Sequence, residues 1–151
     1  MNTKWSELSH MQIGRYAEYY AKMEFTSYGF DVYTSEVDDH GVDFIAKSSS
    51  GDYYEVQVKS VRKDNYVFIR KDKIVLDDKH LVCFIRYVDG KPPECYVFPS
   101  TVWKSPDGEL FVSRDYDGKK SAPEYGLQVN GRVDQMKQYD SAKMLPILCK
   151  L

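Results

Sequence analysis

Apolar positions change their period along the chain. Ile13, Ala17, Tyr20, Ala21 and Phe25 recur at intervals of three and four, which marks one face of a helix. Just ahead of them, Ser9 is followed three residues later by Gln12, the pairing of a capping box. Gly29 supplies a stop. The period then shortens. Residues 30–35 alternate as a brief strand, and residues 42–48 and Tyr53–Val61 read as two more with a turn between them. Residues 66–70, 81–88 and 95–98 continue the series, with a Gly- and Pro-containing turn at residues 89–93. Residues 99–101 open a helical turn. Residues 105–123 are polar and rich in Gly and Pro, with a short strand at Phe111 and Val112. Residues 131–139 predict a closing helix, with Pro146 beyond it. Helix, strands, then helix predict an α/β (α+β) chain, with a central mixed β-sheet flanked by helices.

The turn at residues 49–51 sets a register. A three-residue hairpin loop places Gly at its left-handed position, here Gly51. Pairing Ser48 with Asp52 then sets Asp43 opposite Gln57, Ile45 opposite Glu55 and Lys47 opposite Tyr53. The other face holds Val42, Phe44, Ala46, Tyr54, Val56 and Val58 and is almost wholly apolar, so it must be covered. Asp43, Glu55, Gln57 and Lys59 share the first face, because strand side chains alternate. Opposed Cβ atoms stand roughly 4.5–5.5 Å apart, close enough for Asp43 and Gln57 to hold one cation between them. Their oxygens, with the Val58 carbonyl as a third, suit Mg²⁺, a hard ion. Lys59 lies about 6.6 Å from Gln57, one pleat repeat along the strand. The same residue types also occur on strand faces that merely meet water.

Composition narrows the classes. The 151 residues fit one domain, residues 1–151, and 42% hydrophobic with 29% charged residues describes a folded chain. With 21 basic and 23 acidic residues the net charge is -2, which excludes a polycation but not a local basic face. Such a face is suggested by Arg62, Lys63, Arg70, Lys71 and Lys73, interleaved with Tyr66 and Phe68; a cluster of this kind either simply meets water or is suited to DNA phosphates. The longest apolar run, residues 81–85, is far short of the roughly 20 needed to span a membrane. Residues 1–7 have no apolar secretory core. Three cysteines without a Cys-x-x-Cys pair point to a reducing, cytoplasmic setting, with Cys83 and Cys95 as buried thiols. His10, His40 and His80 are scattered, Asp38 and Asp39 read as a solvated loop, and Trp5 and Trp103 as core or interface anchors. Walker, Rossmann and Gly-x-Ser-x-Gly patterns are lacking.

Three segments taken together resemble the PD-(D/E)XK nuclease superfamily, with its restriction-endonuclease-like core. They are Gly14-Arg15-Tyr16-Ala17-Glu18, Gly41-Val42-Asp43-Phe44 and Glu55-Val56-Gln57-Val58-Lys59-Ser60. The resemblance implies that Asp43 is the metal-binding aspartate, Lys59 the catalytic lysine and Glu18 the helix glutamate of the site. Gln57 stands at the Asp/Glu position, a Gln-x-Lys variant, and Val42 replaces the motif proline. Gln57 removes one negative charge from the metal site. The resemblance further implies Mg²⁺ (or Mn²⁺) as cofactor, double-stranded DNA as substrate and 5′-phosphate products. Cutting both strands implies a homodimer or homotetramer. Small homing-type and restriction-like endonucleases fit best. A Holliday-junction resolvase and an inactive DNA-binding or assembly module on the same fold are the alternatives. The helix that the family places between its third and fourth core strands has no clear counterpart here, and residues 66–70 look like an added strand.

Overall fold

A computed structural model describes residues 1–36 and 40–150. Asp38 and Asp39 lie outside the described residues. The first helix, α1 (His10–Ser27), starts as its sequence requires. Ser9 Oγ accepts the Gln12 N–H at 3.1 Å, and Gln12 Oε1 accepts the Ser9 N–H at 2.9 Å. Ile13, Ala17, Ala21 and Phe25 form its buried stripe, and the two alanines allow the helix close to the sheet.

That sheet contains β1 (Asp31–Thr34), β2 (Phe44–Lys47), β3 (Tyr53–Val61), β5 (His80–Arg86) and β6 (Glu94–Pro99) in the order β1-β2-β3-β5-β6. Only the β3–β5 pair is parallel. A parallel pair needs a crossover. Here it passes through β4 (Val67–Arg70) and a single 3₁₀ turn, Lys71–Lys73, rather than an α-helix. β4 joins β7 (Phe111–Arg114) and β8 (Glu124–Leu127) in a second, antiparallel sheet of order β4-β8-β7.

The large sheet is covered on both sides. Phe44, Ala46, Val56, Leu81, Cys83 and Val97 pack against α1 and the last helix, α3 (Ser141–Cys149). Val82, Phe84 and Phe98 face the other way, onto Ile69, Phe111, Leu127 and Trp103. No helix among the described residues is long and apolar enough to cross a membrane.

The hairpin register is the expected one, with Ile45 opposite Glu55 and Lys47 opposite Tyr53. The C-terminal expectation needs correction. Only Val133–Met136, α2, is α-helical within residues 131–139, and the closing helix is α3, with Pro146 inside it. Proline removes one helical hydrogen bond there. Burial of Leu145 and Cys149 outweighs that cost, and the Asp140 side chain caps the helix by accepting the Ala142 N–H at 2.8 Å. β8 was hidden in sequence by Gly126, which breaks its strand pattern.

The hairpin tip is fastened to the end of α3. Asp52 pairs with Lys150 at 2.8 Å and Lys79 at 3.1 Å, while Ser49 Oγ donates to the Cys149 carbonyl at 3.0 Å. Hydrogen bonds from Lys150 and Lys79 hold the Asp52 carboxyl down to about 2, from an ordinary value of 3.8. A depressed carboxyl stabilises the fold fully above its unfolded value and loses that contribution as pH falls through the folded one. Acid unfolding followed by circular dichroism should therefore show the wild type losing stability between about pH 4 and 2. The loss should be larger than in Asp52→Asn, whose side chain does not titrate; identical acid profiles would refute the clamp.

Candidate active site

β2 begins one residue after Asp43, β3 runs on past that point, and the chemistry collects there. The last backbone bond of the pair runs from the Asp43 N–H to the Val56 carbonyl at 2.9 Å. Beyond it the Asp43 side chain replaces the missing strand: Oδ2 accepts the Val58 N–H at 2.6 Å. Backbone groups of a strand alternate sides. Glu55 N–H bonds toward Lys79, on the β5 side, whereas Val56 and Val58 bond toward β2. The Val58 carbonyl therefore points past the end of β2, the position expected for a third oxygen donor.

Asp43, Gln57, Val58 and Lys59 line one cleft of about 370 Å³, closed by Gly41 and by Phe68, Ile69, Arg70 and Lys73. Asp43 and Lys59 thus lie on one side of the sheet, and both are half-buried rather than sunk in the core. Gln57 is more enclosed than a wet strand face would make it, at 7% exposure. Its Nε2 donates to the Lys73 carbonyl at 3.2 Å, which leaves Oε1 as the acceptor end of the amide. Gly41 makes this possible. Its φ is +78°, and a Cβ there would stand 2.7 Å from Gln57 Nε2 and 3.3 Å from the Lys73 carbonyl.

The cleft brings together Asp43, Gln57, Val58, Lys59, Arg70 and Lys73, and leaves other expected residues apart. Glu18 is half-buried on α1 and does not line the cleft. Glu55 pairs with His80 instead, and His80 Nδ1 meets Asp77 Oδ1 at 2.6 Å. The Asp77 carboxyl is lowered chiefly by that hydrogen bond. His40, Val42, Glu55 and His80 line a neighbouring hollow. Among the described residues no three of His, Cys, Asp and Glu converge as a metal group. A cation here would rest on one carboxylate with an amide and a backbone carbonyl, all hard oxygens of the kind Mg²⁺ accepts.

The expected basic face is largely paired. Arg62 turns inward, and its Nη1 donates to the carbonyls of Trp5 at 3.0 Å and Leu8 at 2.6 Å. Lys71 meets Asp115 at 2.7 Å and sits over the Tyr125 ring. Arg70 forms a fork with Asp72, but both are more than half exposed, so the pair is weak and exchangeable. Lys63 is exposed beside a larger groove of about 1060 Å³, which shares Lys59 and Phe68 with the cleft. The sequence placed Phe68 among the cations of the basic face and Gly41 ahead of Asp43, but neither as a wall of the cleft; a crossover through a second sheet leaves no local sequence signal.

No family model and no curated protein matches the chain. Among solved structures it is similar to a bacterial homing endonuclease, I-Ssp6803I, with a TM-score of 0.59, 19% identity and 95% of each chain covered. It is also similar to Hjc, a Holliday junction resolvase of Archaeoglobus fulgidus, with a TM-score of 0.48, 11% identity, and 78% of this chain and 84% of that one covered. The chain has a restriction-endonuclease-like fold: a mixed five-stranded sheet flanked by helices, with its candidate site where β2 and β3 part.

Arg62 gives a direct check on the division between structural and surface cations. Arg62→Ala should lower unfolding free energy in urea by about 1.5–3 kcal/mol, the usual worth of hydrogen bonds from a charged group. Unchanged stability would refute that internal role.

Proposed function

We propose that this chain is a metal-dependent endonuclease that hydrolyses phosphodiester bonds in double-stranded DNA, of the site-specific homing type. The observation that carries the reading is one cleft wall bearing a carboxylate, an amide and an ammonium group on two paired strands: Asp43, Gln57 and Lys59. Asp43, the Gln57 amide oxygen and the Val58 carbonyl would hold Mg²⁺, and Mn²⁺ would take the same oxygens. Bound there, the ion supplies Lewis acidity toward a phosphoryl oxygen and water. Lys59 sets a fixed positive charge beside the phosphate, where negative charge grows as the nucleophile attacks. Arg70, Lys73 and Lys63 are the cations placed to hold flanking phosphates. The likeness to a homing endonuclease along 95% of the chain supports cutting at a defined site. One cleft cuts one strand, so both strands require two copies, in a homodimer or homotetramer.

A second reading has its own support. With a single carboxylate among the described residues of the cleft, metal affinity is lower than two carboxylates would give, which favours a module that binds DNA without cutting it. Supercoiled plasmids carrying randomised inserts separate the two. An enzyme nicks a fraction of them in Mg²⁺ or Mn²⁺ and none in EDTA, and Asp43→Ala and Lys59→Ala each slow nicking by about 100-fold or more. Tight DNA binding with no metal-dependent nicking by the wild type would favour the module instead.

Gln57 offers a test that needs no activity. Gln57→Glu would set a carboxylate against the Lys73 carbonyl and should cost about 1–3 kcal/mol in EDTA, the penalty for a poorly paired buried group. Mg²⁺ should then raise the melting temperature of the Gln57→Glu protein more than that of the wild type. An equal rise in both would argue against a cation beside position 57.

A further inference from the structure

The cleft has an aromatic wall that the hydrolytic chemistry does not use. Phe68 is 50% exposed on β4 and lines both the cleft and the adjoining groove. Behind it lies a stack. Tyr66 is nearly parallel to Phe68, with centroids 6.4 Å apart and planes 19° from each other. The Arg114 guanidinium sits over the Tyr66 ring at 4.2 Å. Tyr66 is itself held: its hydroxyl donates to Glu124 Oε2 at 2.5 Å, and its ring lies where a Cβ on Gly126 would approach to 2.0 Å of the hydroxyl oxygen. Burial and the Glu124 carboxylate push the Tyr66 phenol upward, so it stays a neutral donor. The result is a row of three neighbours, Arg114 over Tyr66 and Tyr66 nearly parallel to Phe68, ending at a half-open ring.

An open aromatic ring beside cations is the arrangement that holds a single nucleotide: stacking on the base, charge on the phosphate. Lys59, Arg70 and Lys73 line the same cleft as Phe68. A base inside an intact duplex has both faces covered by its neighbours, so the ring is usable only by a base that has left the stack. We propose that Phe68 is a stacking platform for an unpaired or turned-out nucleobase beside the phosphate in the cleft, so that this protein prefers DNA carrying such a base. The proposal rests on the nuclease reading for the position of that phosphate.

Binding is measured by fluorescence anisotropy in EDTA, where no cutting occurs. The probes are a labelled hairpin duplex with one unpaired thymidine and the same hairpin fully paired. The wild type should bind the unpaired form more tightly by about 5- to 150-fold, the span of one base–aromatic stack. Phe68→Ala should erase that difference and leave paired-duplex affinity unchanged. Phe68→Trp should keep it, and its emission should be quenched on binding. Trp5 and Trp103 are only 2% and 3% exposed, so the new signal belongs to position 68. Equal affinity for the two hairpins, unquenched emission from Phe68→Trp, or a loss of self-association in Phe68→Ala would each overturn the platform, the last by making the ring a contact between copies. The nuclease reading fails separately. Phe68-dependent binding without nicking in Mg²⁺ would sink the enzyme and spare the platform. Asp43-dependent nicking with no preference between hairpins would do the reverse.

Discussion

The bond from the Val58 N–H to the Asp43 carboxylate is the constraint on which the site depends. β3 runs on after β2 has ended, so its next inward-facing N–H loses a backbone partner. A buried N–H without an acceptor costs about 1–3 kcal/mol. Asp43 meets that need with a side chain and so terminates the ladder with a negative charge. One residue thereby closes the sheet and opens the cleft. Gly41 takes the chain away from β3 at that point, with a left-handed φ and no side chain to strike Gln57.

The second constraint is the route of the crossover. A helix between β3 and β5 would lie on one face of the sheet and leave the Gln57 side open or apolar. Here the connection goes through β4 and returns along Lys71–Lys73, which brings the Lys73 carbonyl to within 3.2 Å of the Gln57 amide. An amide satisfies a carbonyl neighbour, whereas a carboxylate would face it oxygen to oxygen. The neutral amide at position 57 and the crossover through β4 are therefore two aspects of one arrangement. The small sheet also buries the face of β5 and β6 that bears Val82, Phe84 and Phe98, and it carries Phe68 to the rim of the cleft.

What could be read from sequence follows from the range of the forces involved. The α1 cap, the β2–β3 hairpin and its register depend on residues close in sequence, and they were legible at Ser9, Gln12 and Gly51. Asp43, Gln57 and Lys59 were legible as one face for the same reason. Pro146 misled because its local cost is overridden by the burial of Leu145 and Cys149 against distant strands. β8 was illegible because Gly126, poor in a strand on its own, is required by Tyr66, sixty residues earlier. The basic cluster was overread: composition counts charges, but only coordinates show that Arg62 faces the N-terminal backbone and Lys71 faces Asp115.

Those pairings bear on the proposed binding of DNA. Each phosphate neutralised releases counterions and adds affinity, so a surface with few available cations gains little from charge alone. Arg62 is committed internally, Lys71 is held by Asp115 and a ring, and Arg70 reaches a phosphate only by leaving Asp72. On the proposed nuclease reading, a chain of net charge -2 with these three cations engaged has two ways to strengthen its grip on DNA. One is stacking, which is insensitive to the charge balance. The other is to double the contacts by acting as a symmetric pair, where the second copy binds at a high effective concentration. On the proposed nuclease reading a partner copy would cut the opposite strand, and the same assembly would add the second copy's cations.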